Sequence, residues 1–433
     1  MRRPSRRLYA GAGAALVLTG GFAVTDLTST PSARPLAAGL SEAPAAAAPA
    51  APAVVAPPIT ATRLAATTDA SLTSAVRARM ARSTSRRYSV VVDVAGVGRV
   101  VDINGASGLL PASTEKLFTT LPLLQRRPQD RLVTTVGAAR APSGGVLHGD
   151  LVVRASGDPT VMGSTLIQLA KQVRAHGVRK VTGRLVLNIG SLSLGRTRVG
   201  WKRSYIPSDI GPLSPFPVHF DTWRTSTSYL SNPTGGNLAL MRAKLAKAGV
   251  HIVGRSVVAR AGSTAVVLAS HTSAPVASIV GHTLRWSVNF NAEQLLTVGG
   301  GMSPVDAAAR AAGASGTATD GSGLSLRDRR TAHSEVALLN AAQRGEASSL
   351  LMSSLAVACR SGTLEHEMCH TSAAGKVWAK TGTLDHVKSL AGYTIDGAGR
   401  LVTFAFLTNG DVSTYKAMNA IERSVIVLRH YGG

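Results

Sequence analysis

The chain has 433 residues, 45% of them hydrophobic, which is enough apolar side chain for two or three packed domains and excludes a mostly disordered protein. Its formal net charge is +24, yet only 4% of its residues are aromatic and its Lys and Arg are scattered along the chain. That distribution excludes nucleic acid as the expected partner and favours an anionic envelope polymer or lipid surface.

Arg2, Arg3, Arg6 and Arg7 precede an apolar stretch from Leu8 to Val24, so residues 1–30 read as an export signal or a membrane anchor. Residues 31–70 collapse into Ala and Pro, a composition that makes a semi-extended tether rather than a core. Folded sequence is expected from about Ser71. Helical spacing runs from Leu72 to Met80, and Tyr88–Asp93 with Val100–Ile103 reads as a β-hairpin that delivers the chain to Pro111. A helix should begin at Ser113 and end or kink at Pro122. Residues 132–267 change texture: short β runs at 151–154, 185–187 and 257–259 alternate with helical patches at 166–176 and 238–248. They are expected to form an inserted α+β domain that splits a catalytic domain into 71–131 and 268–433. Beyond Ala274 come helices at 276–284 and 304–312. Three antiparallel strands at 376–381, 389–394 and 401–407 and a closing amphipathic helix at 415–429 follow. Cys359 and Cys369, ten positions apart, are expected to pair in an exported protein.

Three stretches carry chemistry. In Pro111-Ala-Ser-Thr-Glu-Lys-Leu-Phe-Thr-Thr120, Ser113 and Lys116 fall one helical turn apart, a hydroxyl nucleophile beside an amine base. Ser287 and Asn289 offer a hydroxyl relay and an amide donor. Lys380-Thr381-Gly382-Thr383 gives a cation and two hydroxyls for a substrate carboxylate. Lys380 beside Lys116 should push the latter toward its neutral form, and Gly382 should leave room for an extended substrate. His366-Glu-Met-Cys-His370 matches a zinc-binding H-E-x-x-H, but it lies between Gly362 and Gly375 with no long apolar helix or third ligand. It reads as a solvated loop at the rim of the site, and no metal or other cofactor is expected. Asp320-Gly-Ser-Gly323 reads as a tight turn beneath the site, and Glu293 and Asp158 as buried hydrogen-bonding or turn residues.

The ordered set S-x-x-K, S-x-N and K-T-G resembles the penicillin-binding proteins and serine β-lactamases. More narrowly, from about Tyr88 to Asn409 the chain resembles the D-alanyl-D-alanine carboxypeptidase/endopeptidase family of low-molecular-mass penicillin-binding proteins with an inserted domain. The likeness extends to Gly149-Asp-Leu151, Gly157-Asp-Pro159, Asp320-Gly-Ser-Gly-Leu-Ser325 and Gly362-Thr-Leu364. The long interval between Ser113 and Ser287 suits an insertion, and no E-x-x-x-N loop of a class A β-lactamase is present. Val288 stands where the family usually has Asp. The resemblance implies a transpeptidase-like α/β catalytic domain, an antiparallel sheet flanked by helices, interrupted by the α+β insertion. It implies a serine acyl-enzyme acting on peptidoglycan stem peptides outside the cytoplasm, with β-lactams as covalent inhibitors. Ser113 would attack, Lys116 take its proton, Ser287 protonate the leaving amine and Asn289 hold the substrate amide. Lys380, Thr381 and Thr383 would receive the carboxylate beside Gly382, and the Ser113 and Thr383 amides would form the oxyanion hole. The alternatives are a serine β-lactamase and a catalytically silent wall-binding module.

Overall fold

A computed structural model describes residues 68–190, 192, 194–221, 231–260 and 264–433. The expected export signal or anchor lies outside the described residues, as does the Ala/Pro tether up to residue 67. Among the described residues no helix is long and apolar enough to cross a membrane.

The described chain opens with α1 (Ala70–Met80), capped by the Asp69 carboxylate, and a hairpin of β1 (Arg87–Val94) and β2 (Gly98–Ile103). One turn of 3-10 helix, Ala112–Thr114, leads into α2 (Glu115–Arg126). The middle of the chain contributes β3 (Arg131–Ala138), β4 (Leu151–Arg154), α3 (Gly163–Ala175), β5 (Leu185–Asn188), α4 (Pro233–Lys247), β6 (Ser256–Val258) and β7 (Val266–Pro275). Helices α5 (Val276–Trp286), α6 (Asn289–Val298), α7 (Met302–Ala311) and α8 (Ala332–Gln343) follow. Strands β8 (Ala356–Val357), β9 (Val377–Leu384), β10 (Val387–Ile395) and β11 (Leu401–Asn409) precede the closing helix α9 (Thr414–Leu428).

The two ends of the chain share one antiparallel sheet, ordered β8-β9-β10-β11-β1-β2. Its strands are apolar on both faces because both faces are covered. Val91, Ala391, Tyr393, Ala405 and Leu407 pack on one side with Leu117, Phe118 and Leu121 of α2, Leu284 of α5 and Leu339 of α8. Their sequence neighbours Val90, Val92, Leu390, Phe404 and Phe406 point the other way, against Val76 of α1 and Ile421 and Val425 of α9. This is the period-two alternation of a strand read on two buried faces.

A second sheet, ordered β7-β3-β4-β5-β6, is built from the middle of the chain. Its β4-β5-β6 part is parallel, and α3 and α4 complete its own apolar cluster. Strand β7 pairs antiparallel with β3 down to the Pro275–Arg131 pair. The expected boundary at residue 267 therefore falls inside β7, which runs on because β3 supplies its ladder partner. Of the end or kink expected at Pro122, the end falls four residues later, because α2 continues to Arg126. The proline forfeits one backbone bond, but Leu121, Leu123 and Leu124 beside it are buried in the same cluster as Leu117 and Phe118, and that burial outweighs the loss. Cys359 and Cys369 are disulfide-bonded, their Cα atoms 4.9 Å apart.

Candidate active site

The turn that carries Ser113 is held under constraint from several directions. Ala112 has φ of 50°, a left-handed value that costs a non-glycine residue about 1 kcal/mol or more. Gly323, at φ +79°, lies directly beneath it: a Cβ there would sit 1.8 Å from the Ala112 carbonyl oxygen. Ser389 Oγ on β10 donates to the Pro111 carbonyl at 2.6 Å. The Asn409 side chain at the end of β11 brackets Leu110, accepting from its amide at 2.9 Å and donating to its carbonyl at 3.2 Å. Thr114 Oγ1 lies 2.5 Å from Glu335 on α8, a carboxyl that burial pushes up to about 8. One residue on, Glu115 forms a fully buried two-point pair with Arg330, at 2.8 and 2.7 Å.

Lys116 is fully buried, and Nζ donates to three oxygens: Ser113 Oγ at 2.7 Å, Asn289 Oδ1 at 2.7 Å and the Ser322 carbonyl at 2.6 Å. Burial lowers its pKa to about 7, against the attraction of Asp320, Glu293 and Glu115. Of its three partners only Ser113 has a hydrogen to give, because the amide oxygen and the backbone carbonyl are pure acceptors. When Lys116 loses its proton, its two remaining N–H groups satisfy those acceptors and its lone pair is left facing the serine hydroxyl.

The Ser322 carbonyl is fixed by buried acids. Glu293 Oε1 accepts from the Gly321 and Ser322 amides at 2.9 and 2.8 Å, and Asp320 accepts from the Gly323 and Ser325 amides at 2.7 and 2.8 Å. A segment from the middle of the chain clamps this turn: Arg198 Nε donates to Glu293 at 2.9 Å and Trp201 Nε1 to Asp320 at 2.6 Å. Farther along it, the Asp209 carbonyl accepts from Asn289 Nδ2 at 3.0 Å. Tyr205, Ile210 and Leu213 pack against Phe290 and Leu324.

Strand β9 forms the opposite wall. β8 pairs only with Trp378 and Ala379, so among the described residues the edge from Lys380 to Leu384 has no ladder partner and is open to an added strand. Lys380 is fully buried, donates to the Thr381 carbonyl at 2.6 Å, and is held well below the usual lysine range by burial and then by Lys116 and Lys388. Thr381 Oγ1 donates to Thr363 Oγ1, and Lys388 Nζ on β10 donates to Thr383 Oγ1, each at 2.7 Å.

Ser113, Lys116 and Asn289 thus meet within hydrogen-bonding distance. Ser287, two residues before Asn289, is half-buried with φ of 59°, and its hydroxyl has no hydrogen-bond partner among the described residues. Burial is the largest cause of the lowered pKa of Lys116, and burial followed by the neighbouring Lys116 and Lys388 lowers that of Lys380. At Gly382 a Cβ would meet Ser389 Oγ at 2.0 Å, the Pro111 carbonyl at 2.7 Å and the Ser113 amide nitrogen at 3.0 Å, so the missing side chain lets β9 lie against the Ser113 turn. His366 and His370 are exposed on the disulfide loop, whose Cys369 belongs to the H-E-x-x-H match. Sequence reasoning missed Lys388, Glu335, Arg198, Trp201 and the Ser322 carbonyl. The only available signal was the acidic and glycine-rich character of 320–323, because the other contacts join residues far apart in the chain.

The carboxypeptidase DacB of Mycolicibacterium smegmatis is 30% identical over 361 residues, covering 74% of this chain and 75% of the relative. A D-alanyl-D-alanine carboxypeptidase of an Actinomadura species is 28% identical over 415 residues, covering 74% and 77%. Among solved structures, penicillin-binding protein 4 of Haemophilus influenzae superposes with a TM-score of 0.74 at 19% identity, covering 82% of this chain and 99% of that one. A peptidoglycan endopeptidase of Bdellovibrio bacteriovorus gives 0.56 at 20%, covering 80% and 93%. These likenesses establish the fold expected from the sequence. Residues 72–212 and 217–431 match the D-Ala-D-Ala carboxypeptidase 3 (S13) family, and the chain belongs to that family of serine peptidases.

Proposed function

We propose that the enzyme removes the terminal D-alanine of peptidoglycan stem peptides through an acyl intermediate on Ser113, with Lys116 as its base. The observation that carries this reading is the set of three oxygens around Lys116 Nζ, only one of which has a proton to surrender. Ser113 Oγ attacks the carbonyl of the penultimate D-alanine and its proton passes to Lys116. The negative oxygen that develops is received by the backbone amides of Ser113 and Thr383. Asn289 keeps one amide hydrogen for the substrate once the other is given to Asp209. Ser287, whose hydroxyl is uncommitted, passes a proton to the leaving amine as the C–N bond breaks. The terminal carboxylate is received at Thr383 beside Lys380, while Thr381 gives its hydroxyl proton to Thr363, and Gly382 lets β9 lie close against the Ser113 turn. β-Lactams would acylate Ser113 by the same attack, opening their ring amide.

The N-terminal basic and apolar residues, together with the wall substrate, support action in the cell-wall space, with those residues serving as signal or anchor. The same catalytic set serves D-alanyl cross-links, so endopeptidase cleavage is part of the reading. Residues 132–267, flanked on each side by catalytic segments, act in it as an insertion that lends the clamp of 198–209 to the base pocket.

The test is to incubate the purified protein with fluorescent penicillin and, separately, with a stem pentapeptide. We expect a covalent adduct on Ser113 and stoichiometric release of D-alanine. Rapid penicillin turnover with no D-alanine released would replace this reading with a β-lactamase; neither adduct nor release would leave a silent wall-binding module.

A further inference from the structure

The register of the β9–β10 pair sets Lys388 directly across from Thr383, so both side chains leave the same face of the sheet. A threonine hydroxyl has one proton and two lone pairs. Lys388 Nζ donates into one of those lone pairs at 2.7 Å. The Thr383 proton therefore cannot turn back toward the lysine and is left to donate outward, where Thr383 is exposed. A carboxylate, which only accepts, is the complementary group. Thr381 is set the other way, its proton already given to Thr363.

Charge points to the same residue. Lys380 is fully enclosed, and burial and two neighbouring lysines work against its ammonium form. Burial also lowers the pKa of Lys388, but Glu367 on the disulfide loop, Glu422 on α9 and Asp411 ahead of α9 all pull it back toward the charged form. Lys388 is only half-buried, with those acids around it and Thr383 at its tip. A charge-assisted bond of this kind strengthens the donor beyond it.

We propose that Lys388 is a further specificity-determining residue of this site: acting through the Thr383 hydroxyl, it selects peptides whose leaving residue carries a free carboxylate over the same peptides with that carboxyl amidated. The proposal rests on the acyl-serine reading given above. The competing role is that of a counter-ion for Glu367, Glu422 and Asp411, and the two differ in what they predict.

The experiment compares kcat/KM for an N-acylated D-alanyl-D-alanine peptide with that for its C-terminal amide, in the parent enzyme and in Lys388→Met, Lys388→Gln and Lys388→Arg. In Lys388→Met the carboxylate-to-amide ratio should fall about tenfold, through KM for the carboxylate peptide, with kcat and penicillin labelling of Ser113 close to the parent. Lys388→Arg should restore most of the ratio. Should the Met variant fail to fold, Lys388→Gln, which can still donate to Thr383 but has no charge, reads the same effect. A parent-like ratio in the Met or Gln variant overturns the proposal and leaves Lys388 a counter-ion, as does a parent enzyme with no preference between the two peptides. A parent that labels with penicillin yet hydrolyses neither peptide overturns the carboxypeptidase reading itself.

Discussion

Ser113 and the β9 strand face each other across one cleft, but they are held in different ways. On the serine side the nucleophile and its base are held from several directions: Lys116 has three partners, the turn before it is tied to β10, β11 and α8, and Gly323 closes it from below. On the strand side Thr383 is exposed and the edge from Lys380 to Leu384 is unpaired among the described residues. Chemistry that must be repeated identically is placed where nothing can shift, and recognition is placed where a peptide can add itself as a strand. Changes on the serine wall should therefore act on kcat and its pH dependence, and changes on the strand wall on KM.

The sharpest way to test the contrast is Ser113→Ala. It should abolish covalent penicillin labelling, read by mass spectrometry, with an unchanged circular dichroism spectrum; a labelled variant would remove Ser113 from its role. Gly382→Ala joins the two walls, because its methyl would collide with Ser389 and the Pro111 carbonyl. Moving the serine turn by even 1 Å should slow acylation about a hundredfold, and a parent-like rate in stopped-flow labelling would show that the walls are not in contact. The pH profile separates them more finely. A base must be neutral to accept a proton, and Lys116 titrates at about 7, so the acylation rate should rise with pH and level off above that value. Lys380→Gln should raise KM for the free-carboxylate peptide several-fold while leaving the limb near 7, because burial is its largest cause. A limb that moves upward would restore the charge of Lys380 as its cause. The smallest effect is structural. Opening the Cys359–Cys369 loop, with its separation of 10 residues, should cost about 2–3 kcal/mol in denaturant unfolding, and leave the limb in place.

The difference between the walls also governs how much the sequence could say. Ser113 and Lys116 are one turn apart, and Lys380 to Thr383 are consecutive on a strand, so local periodicity brings them into view. The strands of the catalytic sheet were legible for the same reason, through the valine and aromatic alternation at 88–93 and 401–407. What supports the serine was not legible, because Glu335, Arg330, Ser322 and Asn409 reach it only through tertiary folding. At Pro122 a local rule about lost backbone bonds gives an end or a kink, and it is the burial of Leu121, Leu123 and Leu124 around it that carries the helix on to Arg126. Lys388 was invisible for a subtler reason: a lysine on a strand has no meaning until its partner across the ladder is known, and register is a property of two strands.

The Asn409 clamp on Leu110 spans 299 positions of chain. Strand β11 lies between β10 and β1, with Arg87 opposite Asn409 at the last rung, so the sheet cannot close until the chain has been made through Asn409. Contacts of such high sequence separation are slow to form, since a long loop must be ordered before any of them stabilises it. The serine turn is consequently among the last parts of the molecule to acquire its final shape. A ribosome-bound nascent chain lacking β11 would carry both Ser113 and Lys116 and yet have no working nucleophile.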